Sequence, residues 1–470
     1  DQNNLNFLNG AIMSSDYMKS AVEAKGKLNK VSSSMCLAKW MQTSLHLTTG
    51  KTNSCYHPPL HNINKEQIAV DPAKLHNTDE KKQQRDLMLQ GKRPDGCSYC
   101  WRLEDNQQMS DRHYRSGEPW AMQEYENILK NPHADVVPTY VEVDFSNACN
   151  FACSYCSPQY STTWAQEIQD LGAYPTTKPH NDPTHFVGSN KVLPQKQNPY
   201  VEAFWKWWPD LYPKLKHFRM TGGEPMMDVN TYKVFDYVIA NPKKDLHLNV
   251  TSNFCPPTAS LGDKYFDSVK TMCDGAMIEH FMQFVSLDAW DDKAEYIRHG
   301  MNFNTVWSNV HRYLDEIKGY NSLTFIITLN NLSVSSLKTM MQQILKLRQQ
   351  YSNDYQRVWF DTPILRQPIW QHIGLLDSSF NLYFEDAINF MRMYQHNEKM
   401  GAFRDFEIAK LERAYQVMQQ GLENNEEHKA NFWKFFKTHD ARRSTDMLKT
   451  FPEYGSFFDE CKKASSKYVK

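Results

Sequence analysis

From about residue 138 onward the chain alternates short apolar or β-branched runs with stretches of helical periodicity, and no other feature limits its fold as much. The runs at 140–145 (YVEVDF), 217–220 (HFRM), 246–250 (LHLNV), 282–287 (MQFVSL), 323–329 (LTFIITL) and 357–360 (RVWF) predict strands. Helices fit between most of them, for instance at 230–240 and 306–317. Repeated β-then-α units require crossover connections, which set the strands parallel in one sheet with helices outside. Six strands are too few for a closed eight-stranded barrel. The expected fold is therefore α/β, a partial (β/α)6 TIM-like barrel.

The flanks read differently. Residues 1–135 are polar, rich in Asn, Gln and Lys, and carry a group of cysteines. Within them, Leu45, His46 and Leu47 followed by Thr48-Thr49-Gly50-Lys51 predict a short hairpin. Residues 81–90 (KKQQRDLMLQ) predict a helix that Gly91 and Pro94 stop. The stretch 166–197, with many Pro, Asn and Thr residues, reads as a long loop or insertion that helps form a lid. Residues 380–470 show helical periodicity, as in Phe384, Ala387, Ile388, Phe390 and Met391. The expected division is a cysteine-rich N-terminal module at 1–135, the barrel at 136–368 and a helical C-terminal extension at 369–470.

Composition narrows the function. Lys plus Arg is 53 and Asp plus Glu is 54, so the net charge is −1 and nothing chain-wide draws the protein to nucleic acid or anionic lipid. No run of 18 apolar residues exists, and residues 1–30 hold no apolar run of signal length. The expectation is no membrane partner and a cytoplasmic location, where thiols persist as ligands. Of 10 cysteines, seven fall in two groups: Cys36, Cys55, Cys97 and Cys100, then Cys149, Cys153 and Cys156. Such clustering points to metal ligation. Cys255, Cys273 and Cys461 stand alone and read as ordinary thiols, with a catalytic role for Cys255 as the lesser alternative.

The second group sits in NACNFACSYCS at 147–157, directly after the first strand. Its C-x3-C-x2-C spacing lets three thiolates ligate three irons of a [4Fe–4S] cluster and leaves one iron without a protein ligand. A zinc site wants four ligands, and the nearest histidines, His133 and His180, are not at local ligand spacing.

This loop, its place after the first strand and the motifs at the later strand ends resemble the radical S-adenosylmethionine (radical SAM) superfamily. The resemblance implies that Cys149, Cys153 and Cys156 hold the cluster whose open iron binds the amino and carboxylate groups of SAM. Tyr155 matches the family's aromatic position before the third cysteine, whose backbone meets the adenine. Thr221-Gly222-Gly223-Glu224-Pro225 matches its Gly-Gly-Glu motif, which accepts from the SAM amino group. In physical terms, glycines let the backbone approach a ligand closely and a carboxylate suits an ammonium. Asn253, in Thr251-Ser252-Asn253, stands where the family often has a Thr-Asn pair. Ser286 and Asp288 end the fourth strand, at the ribose-contacting position. Asn330 and Asn331 end the fifth, near the methionine-carboxylate region, and Arg298 is a further carboxylate partner, with a surface salt bridge as its alternative.

The first cysteine group, with gaps of 18, 41 and 2 residues, looks like the twitch module, a shortened relative of the SPASM domain. That resemblance implies an auxiliary [4Fe–4S] cluster on Cys36, Cys55, Cys97 and Cys100. The module lies before the barrel here, where the best-known forms carry it after. A structural zinc site is the alternative at these spacings. His57 is expected beside the site rather than in it.

The implied function is reductive cleavage of SAM to a 5′-deoxyadenosyl radical that abstracts hydrogen from a substrate. The substrate would be a peptide or protein, then a sugar-like small molecule, then a nucleotide or RNA. The electron donor would be one such as flavodoxin or ferredoxin. A metal-binding partner protein without catalysis is the rival from another class. The aromatic run at 204–208 (FWKWW) reads as packing, and the cations Lys434, Lys437, Arg442, Arg443 and Lys449 as a solvated helix face.

Overall fold

The computed structural model describes residues 15–352, 355–395 and 401–468. Its strands are β1 (Gln42–His46), β2 (Lys51–Asn53), β3 (His61–Asn62), β4 (Tyr140–Asp144), β5 (Ala152–Cys153), β6 (His217–Thr221), β7 (Lys243–Ser252), β8 (Ile278–Ser286), β9 (Arg298–His299), β10 (Asn321–Ile326) and β11 (Val358–Asp361). Nine of them form one sheet, in the order β11-β10-β8-β7-β6-β4-β1-β2-β3. Pairing is parallel from β1 to β11. Pairing is antiparallel from β1 through β2 to β3. The fold is α/β on a parallel sheet.

All six strands expected after residue 138 are present, in chain order. Strand β4 is buried along its whole length, as befits a central parallel strand covered on both faces. Helices Val229–Ala240, Ala259–Asp274, Phe303–Glu316 and Leu337–Tyr351 make the crossovers after β6, β7, β8 and β10. Local capping starts three of them: Asp228 accepts from Asn230 N, Thr258 from Leu261 N and Asn302 from Thr305 N. Strand β7 begins three residues before its predicted start. Its Lys243-Lys244-Asp245 segment is polar and carries no apolar signal.

At the N-terminal strand ends four rings align in register, Tyr140, His217, His247 and His280. Successive centroids are 5.2, 4.5 and 6.0 Å apart. His280 is buried and bonded to the Ser322 hydroxyl at 2.6 Å. Burial, then the neighbouring His247, pushes its pKa down to about 3.

The predicted hairpin at 45–51 exists, but its first strand also joins the main sheet. β1 pairs with β4 from Gln42↔Tyr140 to His46↔Asp144. The buried Asp144 carboxylate fixes the junction, accepting from the Thr48 hydroxyl at 2.7 Å and from Thr48 N at 3.1 Å. It also meets His46 Nδ1 at 2.9 Å. Helix Asp79–Leu89 starts at the Thr78 cap and ends before Gly91, whose φ of +73° a side chain would resist. Leu28, Met35, Trp40, Trp101 and Trp120 form a second apolar cluster around this N-terminal part.

The segment expected as a loop at 166–197 opens inside a helix, Thr162–Leu171, capped by Ser161 and burying Trp164 and Ile168. Its polar sequence hid a two-residue apolar face. Beyond it, 172–198 is irregular except for short 3-10 turns and one antiparallel bridge between Tyr174 and His180. Helices Asn381–Met393, Asp405–Gln420, Asn425–Arg443 and Gly455–Ser465 build the tail. Arg443 Nη2 meets Glu167 Oε2 at 2.6 Å and Arg442 Nη1 meets Glu167 Oε1 at 3.2 Å. These two arginines therefore tie the tail to the insertion and do not form a free solvated face. Phe204, Trp207 and Trp208 are core. No helix among the described residues is long and apolar enough to cross a membrane.

Candidate functional site

The C-terminal ends of β6, β7 and β8 open into a cavity of about 400 Å³, closed on one side by the loop that leaves β4. Cys149, Cys153 and Cys156 all line it. Several contacts hold the loop, among them the pairing of β5 with β9 and the bond from Ser161 Oγ to Phe151 O at 2.5 Å. Burial raises all three thiol pKa values, that of Cys156 to about 12. Without a bound cation these thiols stay protonated near neutrality.

Gly222 and Gly223 line the cavity, yet their packing requirement comes from the protein itself. A Cβ on Gly223 would stand 2.5 Å from Ala148 O, and one on Gly222 would stand 2.8 Å from Ser146 O. The bare backbone lets Gly223 N reach Ser146 O at 3.1 Å and Glu224 N reach Ala148 O at 2.7 Å. The end of β6 is thereby stitched to the root of the cysteine loop.

Glu224 is not among the residues that line the cavity. Oε1 accepts from Ser252 Oγ at 2.7 Å and Met226 N at 2.9 Å, and Oε2 accepts from Asn253 N at 2.6 Å. Burial pushes its pKa up to about 7 against those bonds. In this arrangement it joins the ends of β6 and β7.

Arg298 is buried and lines the cavity, so the surface salt bridge is excluded. Its Nε donates to Asp288 Oδ2 at 2.9 Å, and its Nη2 donates to Asp288 Oδ1 at 3.2 Å and to Tyr155 OH at 2.6 Å. Tyr155 OH in turn donates to Asp288 Oδ2 at 2.6 Å. Nη1 lies 3.7 Å from Cys153 Sγ. Asp288 is thus the anchor of this network, fully buried behind the cavity wall. Burial works against the Arg298 charge, but Asp288 holds its pKa above the usual value.

Asn253 and Ser286 line the cavity. Asn253 Nδ2 donates to Asn150 Oδ1 at 2.9 Å, tying β7 to the cysteine loop. Asn331 does not reach the cavity: its Nδ2 donates to Trp370 O, and Thr328 takes the lining position beyond β10. Sequence reasoning quoted Thr221 and Thr251 only as parts of motifs and passed over Tyr160 and Thr328 as lining groups. Threonines at strand ends are the signal that was available. Cys255 is buried after β7, its thiol 3.9 Å from Asn302 O.

The cavity lining offers three sulfurs and no imidazole or carboxylate. That donor set fits an iron–sulfur cluster with one open iron.

The four earlier cysteines also come together. Cys36, Cys55, Cys97 and Cys100 line one enclosed pocket with Lys39, Arg112 and Arg115. Burial raises the thiol pKa values of Cys36, Cys55 and Cys100, that of Cys55 to about 12. His57 lines the pocket but is engaged elsewhere, with Nε2 2.7 Å from Asp111 and its ring stacked on Tyr99. Four thiols in one pocket suit a metal–thiolate centre; Arg112 and Arg115 beside them pair with Glu104 and Glu118, and the Asp111 carboxylate shares the lining. Among the described residues, no three His, Cys, Asp or Glu side chains are placed to hold a single metal ion.

No protein-family model matches the chain. Over 175 residues it is similar to a GTP 3′,8-cyclase of Acaryochloris marina, with 23% identity covering 37% of this chain and 43% of that protein. The chain thus spans less than half the length of that curated relative. Among solved structures it is similar to Streptococcus suis SuiB bound to S-adenosylmethionine, with 12% identity, a TM-score of 0.34, and 74% and 67% of the two chains covered. SuiB bound to its precursor peptide SuiA gives 12% identity, a TM-score of 0.33 and coverage of 75% and 70%.

Proposed function

We propose that the chain is a radical SAM enzyme that abstracts hydrogen from a substrate carbon. One observation carries this reading. Three thiols of a single loop and the ends of three parallel strands converge on one cavity that offers no fourth ligand. Cys149, Cys153 and Cys156 would hold a [4Fe–4S] cluster. When bound, it would supply the electron that splits SAM to a 5′-deoxyadenosyl radical.

This chain's own residues would do the rest. Arg298, its charge fixed by Asp288, would attract the SAM carboxylate. Asn253 and Ser286 would offer polar contacts from the strand ends, and Phe151 and Tyr155 would limit water. Gly222 and Gly223 would keep the loop and β6 in register, with Glu224 as the internal tie. The strands from β4 to β11 would curl as a partial barrel.

Cys36, Cys55, Cys97 and Cys100 would hold an auxiliary [4Fe–4S] cluster in a twitch-like module, serving electron uptake. The substrate would be a peptide or protein, and flavodoxin or ferredoxin would deliver electrons in the cytoplasm. Reconstituted anaerobically and given dithionite and SAM, the protein should release 5′-deoxyadenosine. A fully loaded protein that releases none overturns the reading. Alanine at Cys149, Cys153 and Cys156 should abolish release, whereas alanine at Cys97 and Cys100 should spare it and block substrate turnover. About four irons plus one zinc per chain, rather than about eight irons, would remove the auxiliary cluster.

A further inference from the structure

Beside the three-cysteine cavity lies a second and larger one. It is a cleft of about 820 Å³, and Ser157 lines both. Its walls come from 178–186 of the insertion, the 367–370 turn and residues 427–431 of helix Asn425–Arg443. The insertion and the tail have no other assigned role, and they are built to meet here. Thr177 N and Oγ1 both donate to Asn431 Oδ1, at 2.7 and 2.9 Å. Asn181 Nδ2 donates to Cys156 O at 3.1 Å, joining the cleft wall to the third cysteine. Exposed Lys178, Thr184 and His185 leave the outer side open to water.

The lining chemistry selects among substrates. Lys178 is the single Lys or Arg in the cleft, and Asp182 and Glu427 oppose it. Burial keeps His180 and His428 neutral, the former with its pKa pushed down to about 4. Phosphate recognition calls for clustered cations or helix N-termini aimed at the ligand; the helix start that borders this cleft carries Glu426 and Glu427 in its first turn, and this balance of charge works against it. The rest of the lining includes four carboxamides (Gln159, Asn181, Gln367, Asn431) and the hydroxyls of Ser157 and Thr184, beside an apolar wall of Phe186, Ile369 and Trp370. Carboxamides both donate and accept, as peptide groups do, and an apolar wall takes alternate side chains of an extended strand. The volume is near the upper end of the roughly 300–1,000 Å³ usual for small-molecule sites, which suits a segment of chain.

We propose that this cleft seats the substrate next to the three-cysteine cavity, and that the substrate is an uncharged stretch of polypeptide. The proposal deepens the radical SAM reading and rests on it for the chemistry, though not for the binding.

The test uses the full-length reconstituted protein and saturation-transfer NMR. Three probes are compared: a pool of random hexapeptides of Gly, Ser, Asn, Gln, Leu and Phe, GTP, and glucose. Thr184→Trp fills the cleft from an exposed position, and His185→Trp is the second filling variant should the first fold poorly. The peptide pool should show transfer that either variant cuts about tenfold, while 5′-deoxyadenosine release stays unchanged. GTP and glucose should show no transfer that the variants alter. GTP or glucose transfer sensitive to the variants, peptide transfer insensitive to them, or no transfer from any probe each overturns the proposal. Variant-sensitive peptide binding in a protein that cannot cleave SAM would uphold the cleft and sink the proposed function instead.

Discussion

Gly223→Ala tests whether the end of β6 sets the position of the cysteine loop. The new Cβ would stand 2.5 Å from Ala148 O, 2.7 Å from Asn147 C and 2.9 Å from Ala148 C. All three atoms are backbone, so no side-chain rotation relieves the overlap. In a close-packed interior the loop has to retreat by about half an ångström before the contact is tolerable. That retreat strains the bond from Glu224 N to Ala148 O, now 2.7 Å, at the residue just before the first cysteine. Overpacking of this kind costs about 1–3 kcal/mol. Since a displacement of about 1 Å at a reacting group costs about 100-fold in rate, half of that should slow SAM cleavage about tenfold. The assay is 5′-deoxyadenosine release at matched iron content, alongside a thermal melt. A variant with the parent's rate and melting temperature would refute the idea that this contact places the loop.

Asp288→Asn leaves the Arg298 guanidinium buried without its carboxylate, so unfolding free energy should fall by about 3–5 kcal/mol, measured by urea titration. His280 gives an acid-sensitive term: its folded pKa of about 3 lies below the ordinary 6.5, so the unfolded chain takes up a proton that the folded one refuses. The stabilisation is full above pH 6.5 and is lost as the pH falls, by about 2.7 kcal/mol near pH 4.5. His280→Gln should flatten the difference between urea midpoints at those two pH values, and an unchanged difference would remove His280 from the account. Glu167→Ala removes both ion pairs with the tail and leaves Arg442 on the carbonyls of Leu171, Gly172 and Ala173 and Arg443 on the Tyr174 hydroxyl. Limited proteolysis within 172–198 should quicken severalfold while the core stays intact, and an unchanged cleavage pattern would show that the pairs do not hold the insertion.

The parts of this structure that repeat were the legible ones. Six strands announced themselves as short runs carrying apolar and β-branched residues, as in Tyr140–Asp144, where Tyr140, Val141 and Val143 carry the signal while Glu142 and Asp144 are buried as well. The cysteine loop was legible because ligand spacing is local. Tertiary partners were not. Nothing in the sequence says that the Glu224 carboxylate turns toward Ser252 and Asn253 rather than outward, because those partners lie 28 and 29 residues away. Arg298 and Asp288 were both noticed, but their pairing depends on a turn between β8 and β9 that periodicity does not describe. Strand β1 was read as half of a hairpin, which it is. Its second neighbour, β4, is 98 residues further along the chain, and short-range patterns carry no information at that range.

The docking of β1 has a practical corollary for anyone who would cut this chain. The apparent seam near residue 136 is a place in the sequence and not a place in the sheet. A fragment beginning there would bare one whole side of β4, five residues whose side chains are all buried and whose amides and carbonyls would face water along an open hydrophobic rim. Such rims recruit other strands, so the excised fragment should aggregate rather than fold. Asp144 would lose the hydroxyl, the amide and the imidazole that now surround it, at the end of the very strand from which the cysteine loop departs. The portion that looks most like a self-sufficient catalytic unit is therefore the portion least able to be borrowed alone.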